Sequence, residues 1–355
     1  MKRTLLFVLT MMLLLAAAVA FAQQETPAFA SREEAEAVIL QESPASLDIR
    51  GLAFEDVKYL VDTYPEVDFH YTIRLGNIDV DSQATEASLD RKYAKKPKMQ
   101  DLMERLAYLP NLTKLDMFNH RYPTEELAVL HDSFPNIRFG FVFVMEKWTL
   151  RTDITAFSTL SPKKRYTQDD FLPLRFCHDL LGLDLGHNAI DDLSFLELFP
   201  NLRVLILADN RITDVTPIAQ LQDLEYLELF KNDVHDISCL SNCTNLIDLN
   251  LCFNRIKDWT PLMGLSKLER LWLYNSNNWS KEIPVDKQVV YALREALPEC
   301  KVDDVSYSTL GGWREHDRYY VIYHMFKHGE YIPFDRAAEI KPLYPDGINL
   351  NGPGN

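Results

Sequence analysis

The chain has 355 residues, 47% of them hydrophobic, and 37 Lys+Arg against 52 Asp+Glu give a formal net charge of −15. So acidic a surface argues against nucleic acid or an anionic membrane as a general partner. The hydrophobic content is enough to bury a sizeable core, and the length alone would suggest two domains.

Met1-Lys2-Arg3 is a basic start, residues 5–18 are apolar, and Ala20-Phe21-Ala22 precedes Gln23. This is the pattern of a secretory signal peptide, residues 1–22, with cleavage expected after Ala22. An uncleaved anchor is the competing reading; the small-residue site and the polar QQETP after it favour cleavage. Removing Lys2 and Arg3 leaves 35 basic against 52 acidic residues, or −17. The cleavage site has no cysteine for a lipid, and no apolar C-terminal run suggests a second span. Residues 23–46 form a polar lead whose SREEAEAVILQ is expected to be a short capping helix.

Residues 47–160 carry a long internal repeat. Phe54 to Ser88 aligns without gaps on Thr124 to Ser158, a step of 70. Tyr64-Pro65 matches Phe134-Pro135, and Val67, Phe69, Tyr71 and Ile73 match Ile137, Phe139, Phe141 and Phe143. The period-two alternation in VDFHYTIRL and IRFGFVFVM predicts strands longer than a short repeat needs. Between the copies, MQDLMERLAYLPNLTKLDM reads as a helix and a strand. The region is expected to be divergent repeat units continuous with the array after residue 160, a separate α+β domain being the alternative. The basic RKYAKKPK, residues 91–98, reads as a solvated connector rather than an anion site.

Residues 161–275 hold a stricter period. Leu180, Leu202, Leu224, Leu246 and Leu268 recur every 22 residues, as do Leu183 to Leu271 and Leu185 to Leu273. Asn188, Asn210, Asn232 and Asn254 keep the same step, followed by Asp192, Asp214, Asp236 and Asp258. The L-x-L pair predicts a short strand buried on one face. The Asn amide is placed to satisfy backbone groups where the chain turns inward. Ser or Thr as N-cap, with Pro just inside at Pro217 and Pro261, predicts a short helical turn. One such coil cannot bury its own apolar face, so neighbouring coils must stack.

An L-x-x-L-x-L-x-x-N core at this step is the leucine-rich repeat signature. The stretch resembles the short-repeat class of bacterial leucine-rich repeat proteins, the type seen in internalins. That resemblance implies an α/β solenoid: a curved right-handed superhelix with a parallel concave sheet, divergent N-terminal coils and a C-terminal cap. It also implies a secreted or cell-surface binding protein rather than an enzyme.

In residues 276–355 the pattern decays, with Ser276 in the ladder Asn slot. A helix over 286–296 and another over 316–328 are expected, the latter covering the exposed edge of the last coil. Its His324 and His328 lie four apart near His316 and Glu330, but H-x-x-x-H alone is weak for a metal. An amphipathic cap is the stronger reading, and no cofactor is implied. Cys177, Cys243 and Cys300 fall in core slots, Cys239 in the proline slot, and Cys252 looks outward, so free structural thiols are expected. Sequons such as Asn278-Trp279-Ser280 are matches of pattern only.

Alternate strand residues face out from the sheet in columns about 4.8 Å apart. Small residues (Gly182, Gly186, Ala208) occupy the first coils and aromatics the last. Tyr226, Phe230, Phe253, Trp272 and Tyr274, flanked by Glu228, Asp248 and Arg270, form an expected exposed cluster with the composition of a binding hot spot. Burial of this patch by the C-terminal cap, or by a homodimer, is the alternative. The reading is a secreted non-enzymatic protein that binds an extracellular or cell-surface protein, without nucleic acid and without membrane after signal cleavage. A glycan binder or hydrolase using Asp184 and Glu228, or a structural envelope component, competes with it.

Overall fold

The protein is described by a computed structural model over residues 29–159, 164–277, 281–304 and 316–348. The signal sequence 1–22, the start of the connector at 161–163, the Asn278 sequon and residues 305–315 of the tail lie outside the described residues. Among the described residues no helix is long and apolar enough to cross a membrane. The described residues fall into two compact units, one holding those up to His120 with Val129–Phe139, the other Arg121–Ala128 with those from Gly140 onward.

The first unit opens with α1 (Arg32–Glu42), whose N-cap Ser31 accepts a hydrogen bond from the Glu34 N–H. β1 (Ser46–Asp48), α2 (Phe54–Thr63) and β2 (Asp68–His70) follow, with β1 and β2 parallel and Leu47 opposite Phe69. β3 (Thr72–Leu75) and β4 (Ile78–Asp81) make an antiparallel hairpin. β5 (Glu86–Ser88), α3 (Met99–Leu106) and β6 (Lys114–Asp116) come next, β5 and β6 again parallel. Val57, Leu60, Leu102 and Leu115 are fully buried, the apolar stripes of these elements.

The second 70-residue copy then repeats the order: α4 (Thr124–Ser133), β7 (Arg138–Gly140), β8 (Val142–Met145), β9 (Trp148–Arg151) and β10 (Ala156–Ser158). Each begins 70 residues after its counterpart among α2, β2, β3, β4 and β5. The single long strand expected in each copy is instead broken, at Tyr71 and at Phe141. The Tyr71 N–H donates to Ser82 Oγ at 3.2 Å and the Ser82 N–H to the Tyr71 carbonyl at 2.8 Å. Phe141 and Thr152 repeat both bonds at 3.1 and 3.0 Å. A hydroxyl in the place of a ladder partner ends the first strand and turns the rest into a hairpin, which period-two alternation does not reveal.

The second unit is built on a seven-stranded sheet: β10, β11 (Gly182–Asp184), β12 (Val204–Ile206), β13 (Tyr226–Glu228), β14 (Asp248–Asn250), β15 (Arg270–Trp272) and β18 (Lys301–Asp303), all parallel. Leu183, Leu205, Leu227, Leu249 and Leu271 stand opposite one another across it and are completely buried. Before the last strand come the hairpin strands β16 (Asn275–Asn277) and β17 (Lys281–Ile283) and the helix α5 (Lys287–Ala296). The tail adds α6 (Asp317–His328) and the short α7 (Ala337–Ile340).

The Asn ladder does what its chemistry allows. Asn210 Oδ1 accepts from the Ile190 N–H at 3.0 Å, while its Nδ2 donates to the Leu185 and Leu207 carbonyls at 2.9 and 3.1 Å. Asn232 and Asn254 repeat this pattern one and two coils on. The ladder does not stop at Ser276: Asn275 takes over one residue early, accepting from the Ile256 N–H at 3.1 Å. His187, Asp209, Lys231 and Phe253, each just before a ladder Asn, sit in left-handed backbone at φ 61, 53, 58 and 59°. No glycine marks that turn; the amide bonds beside it hold it in place.

The short turns over Ser194–Leu198, Thr216–Gln220, Ser238–Asn242 and Thr260–Leu262 are 3₁₀ helices. Their cap is not the Ser or Thr. Asp192, Asp214, Asp236 and Asp258 accept from the Ser194, Thr216, Ser238 and Thr260 N–H groups at 2.8–2.9 Å. The bonds hold Asp192, Asp214 and Asp258 below the usual carboxylate range.

Candidate functional site

One face of the seven-stranded sheet faces the shared leucine core; the other was expected to be open. It is covered. Tyr226, Glu228, Asp248, Arg270, Trp272 and Tyr274 are all buried, Asp248 completely, and Phe230 and Phe253 are half-buried. The expectation of an exposed aromatic cluster is therefore overturned, in favour of burial by the C-terminal segment.

The cover is α6 with the chain after it. Val321, Ile322, Met325 and Phe326 of α6, with Ile332, Phe334 and Ile340, pack into one apolar cluster with Ala156, Val204, Ile206, Ala208 and Tyr226. The Tyr226 and Phe334 rings lie 6.2 Å apart. Beside it, Cys252, Trp272 and Tyr274 form a second cluster with Phe230, Phe253 and Tyr319 against them. The expectation that α6 covers the last coil's edge is overturned. α5 and β18 close that end, and α6 lies on β10 and β11 instead.

Sequence carried a signal for this that a hot-spot reading misses. Val204, Ile206 and Ala208 are apolar where an open sheet face would be polar. A Cβ added at Gly182 would lie 2.8 Å from Met325 Sδ and 3.4 Å from Phe326 Cε1, so the small first coil is a seat for α6. The residues Val321, Ile322, Met325 and Phe326 have the helical spacing of one apolar stripe, which needs an apolar surface to meet it.

Charge fixes the other end of α6. Asp248 receives Arg270 from the next strand, Nε to Oδ1 3.0 Å, and Arg318 from the tail, Nη1 to Oδ1 2.7 Å. Arg318 also pairs with Glu269. The Arg270 guanidinium lies 5.0 Å above the Trp272 ring. At the far end the Gly329 carbonyl accepts from the Thr155 and Ala156 N–H groups, both at 3.2 Å. The Tyr331 N–H donates to Thr155 Oγ1 at 2.7 Å, and its hydroxyl to Glu225 at 3.3 Å.

Two carboxylates considered for sugar chemistry are engaged. Asp184 accepts from the Ser158 hydroxyl at 2.7 Å and the Gly186 N–H at 3.0 Å, and burial raises its pKa. Glu228 accepts from the Tyr226 hydroxyl at 3.2 Å, and burial pushes that phenol well above its ordinary value. Glu228 is buried, and Asp184 is half-buried with its carboxylate held by Ser158 and Gly186. One polar atom on this face is left over: Asn250 Nδ2 is buried without a hydrogen-bond partner, though Asn250 Oδ1 accepts from the Cys252 N–H at 3.1 Å.

The histidines of α6 serve the helix. His316 caps it, its Nδ1 accepting from the Arg318 N–H at 3.3 Å. His324 Nδ1 meets the Tyr344 hydroxyl at 2.8 Å, and the His324 and His328 rings lie 4.1 Å apart. Among the described residues no cluster of His, Cys, Asp and Glu is suited to hold a metal. None of the five cysteines is in a disulfide; four are buried and Cys239 is half-buried. Cys252 points outward as expected but is sealed beneath the Trp272 cluster. Burial pushes Cys177, Cys239 and Cys300 up to about 12.

Comparison with known proteins finds leucine-rich repeats. The family described as Leucine Rich repeats (2 copies) matches residues 200–242 and 244–287, under half of the chain. Similar solved structures include internalin F of Listeria monocytogenes, 20% identical over 80% of this chain and 99% of that one, with a TM-score of 0.36. Internalin C2 of the same organism is 21% identical over 58% of this chain and 70% of that one, at 0.29. The Arabidopsis receptor kinase HAESA ectodomain, solved with an IDA peptide hormone ligand, is 22% identical over 50% and 24%, at 0.28. At such values these likenesses say nothing about function. Comparison with curated proteins finds no match. The 22-residue register, the parallel sheet and the matched residues 200–242 and 244–287 show leucine-rich repeats in this part of the chain.

Proposed function

We propose that the chain is an exported, non-catalytic leucine-rich repeat protein that binds another protein through the outer face of its seven-stranded sheet. The observation that supports this reading is the face itself. It offers an apolar floor of Val204, Ile206 and Ala208 beside Tyr226 and Trp272, and a buried Asp248–Arg270 pair that fixes orientation. Aromatic and arginine side chains around an apolar centre are what protein interfaces concentrate. Export is proposed from the signal pattern of residues 1–22, and the acidic surface suits a protein partner better than nucleic acid. Tyr226, Glu228, Phe230, Asp248, Phe253, Arg270, Trp272 and Tyr274 remain the proposed contact set, reached once the tail moves aside.

Two measurements test it. Mass spectrometry of the exported protein should find Gln23 at the N-terminus; an intact Met1 would replace export and cleavage with an anchored form. Affinity capture of extracellular and surface proteins should be lost with Ile206→Glu and kept with Gln222→Ala, a change at an exposed position away from the sheet. Capture unaffected by Ile206→Glu would place the binding surface elsewhere.

A further inference from the structure

We propose that residues 316–344 are an in-cis occupant of a helix-binding face, and that the partner displacing them is a protein segment of the same chemistry. That segment is an amphipathic helix with an arginine at position i and apolar residues at i+3, i+4, i+7 and i+8. The inference rests on the protein-binding reading of the sheet face and names both its ligand and its regulation.

The spacing is read from α6. Arg318, Val321, Ile322, Met325 and Phe326 face the sheet as one continuous stripe of a helix, with Tyr319 beside it against the Trp272 cluster. The floor they meet is held together by bonds made within the sheet and the coils. The strand ladder and the Asn ladder are made within the coils, and the leucine columns face the other way. The main-chain bonds described between tail and sheet edge are few: Gly329 to Thr155 and Ala156, and Tyr331 to the Thr155 hydroxyl. The remaining contact is side chain on side chain, the form in which a separate helix docks in a groove.

Specificity lies in Asp248. It is completely buried and takes one arginine from its own sheet and one from the tail. A pair of this kind selects a partner and its orientation more than it adds stability. Asn250 Nδ2 on this face has no acceptor within the described residues. An outside helix that brings an oxygen to that amide makes a contact the tail does not. The tail's advantage is its covalent attachment, which gives an effective concentration on the order of millimolar.

The test uses the full chain, a variant Arg318→Glu, and a labelled synthetic peptide of residues 316–344 as probe. The introduced carboxylate would face Asp248 and Glu269, so the tail's own docking is opposed while the sheet face is unaltered. Amide hydrogen exchange should show α6 losing protection at least tenfold in the variant, with β11 to β15 unchanged. The wild-type-sequence peptide should bind the variant at least tenfold more tightly than it binds the wild-type chain, and a peptide carrying R318E should not bind. Met325→Ser is the second route, expected to give the same pattern through the apolar stripe. Exchange in β11 to β15 that rises together with α6 in both variants would overturn the proposal, making the tail an integral layer of the fold. So would a released α6 with no peptide binding. The peptide arm needs no natural partner, so a failed capture experiment with intact peptide binding would strike the proposed function and leave the occupancy standing.

Discussion

The two faces of the seven-stranded sheet are built by different rules. The inner face is written five times over, with one leucine per strand at a step of 22 and an Asn that closes the turn behind it. The outer face repeats nothing: Gly182, Val204, Tyr226, Asp248 and Arg270 share one column and have no chemistry in common. A periodic face can only be buried by its own neighbours, coil on coil. A face without period can be shaped to one particular helix, and here it holds α6. The stacking rule thus supplies the scaffold, and the freedom it leaves on the other side supplies recognition.

The largest effect expected on this contrast is Leu227→Ala. It removes a fully buried side chain shared by two neighbouring coils and should cost about 2–5 kcal/mol in urea unfolding of the repeat array. Ile206→Ala, on the outer face, should loosen α6 and leave the array's transition in place. If both variants shift that transition alike, the two faces are one cooperative core and the contrast fails.

Next comes Asn232→Ala. It strands the buried Ile212 N–H and takes one of two amide donors from each of the Leu207 and Leu229 carbonyls, at about 1–3 kcal/mol for such a loss. Unchanged thermal melting would mean water replaces the amide and the ladder is dispensable.

Smaller still is a pH effect confined to the outer face. Burial lowers the pKa of His316, with Arg270 and Arg318 adding to it against Asp248 and Asp317. Burial likewise lowers that of His324, with His328 and Lys327 adding to it. A histidine whose folded pKa lies below its unfolded value stabilises the folded form fully above about pH 6.5, and that contribution is lost as pH falls below it. Protection of the α6 amides should therefore fall as pH drops below about 6.5 while that of β11 to β15 holds. An α6 more protected below that pH would reverse the sign.

The smallest is expected to be nil. With no disulfide among the five cysteines and burial raising the thiol pKa of Cys177 and Cys243, reductant should leave the melting temperature where it is. A drop on reduction would reveal a disulfide, and Cys239 with Cys243 is the first pair to map.

Much of the inner face was legible in the sequence, because periodicity is a one-dimensional record of burial. The leucine columns, the Asn ladder and the 70-residue copy can be counted without coordinates. Caps and turns were legible only in part. The Asp slot was visible, but its role as acceptor for the N–H two residues on, in place of a Ser or Thr cap, was not. The left-handed residues before each Asn carry no glycine, so nothing in composition announces them.

The site was legible in its residues and not in its exposure. Tyr226, Asp248, Arg270 and Trp272 could be placed on the outer face from the alternation of the strands, since neighbouring strand residues point to opposite sides. What covers that face is decided by residues far later in the chain, and strand alternation is silent about so distant a contact. Only the tertiary structure brings Arg318 to Asp248 and Met325 over Gly182. The sequence by itself determined the repeat, its strands and its ladder, which depend on neighbours at a constant separation. The fate of the free face depended on one non-periodic helix finding one non-periodic surface, a match of shape and charge that exists only in three dimensions.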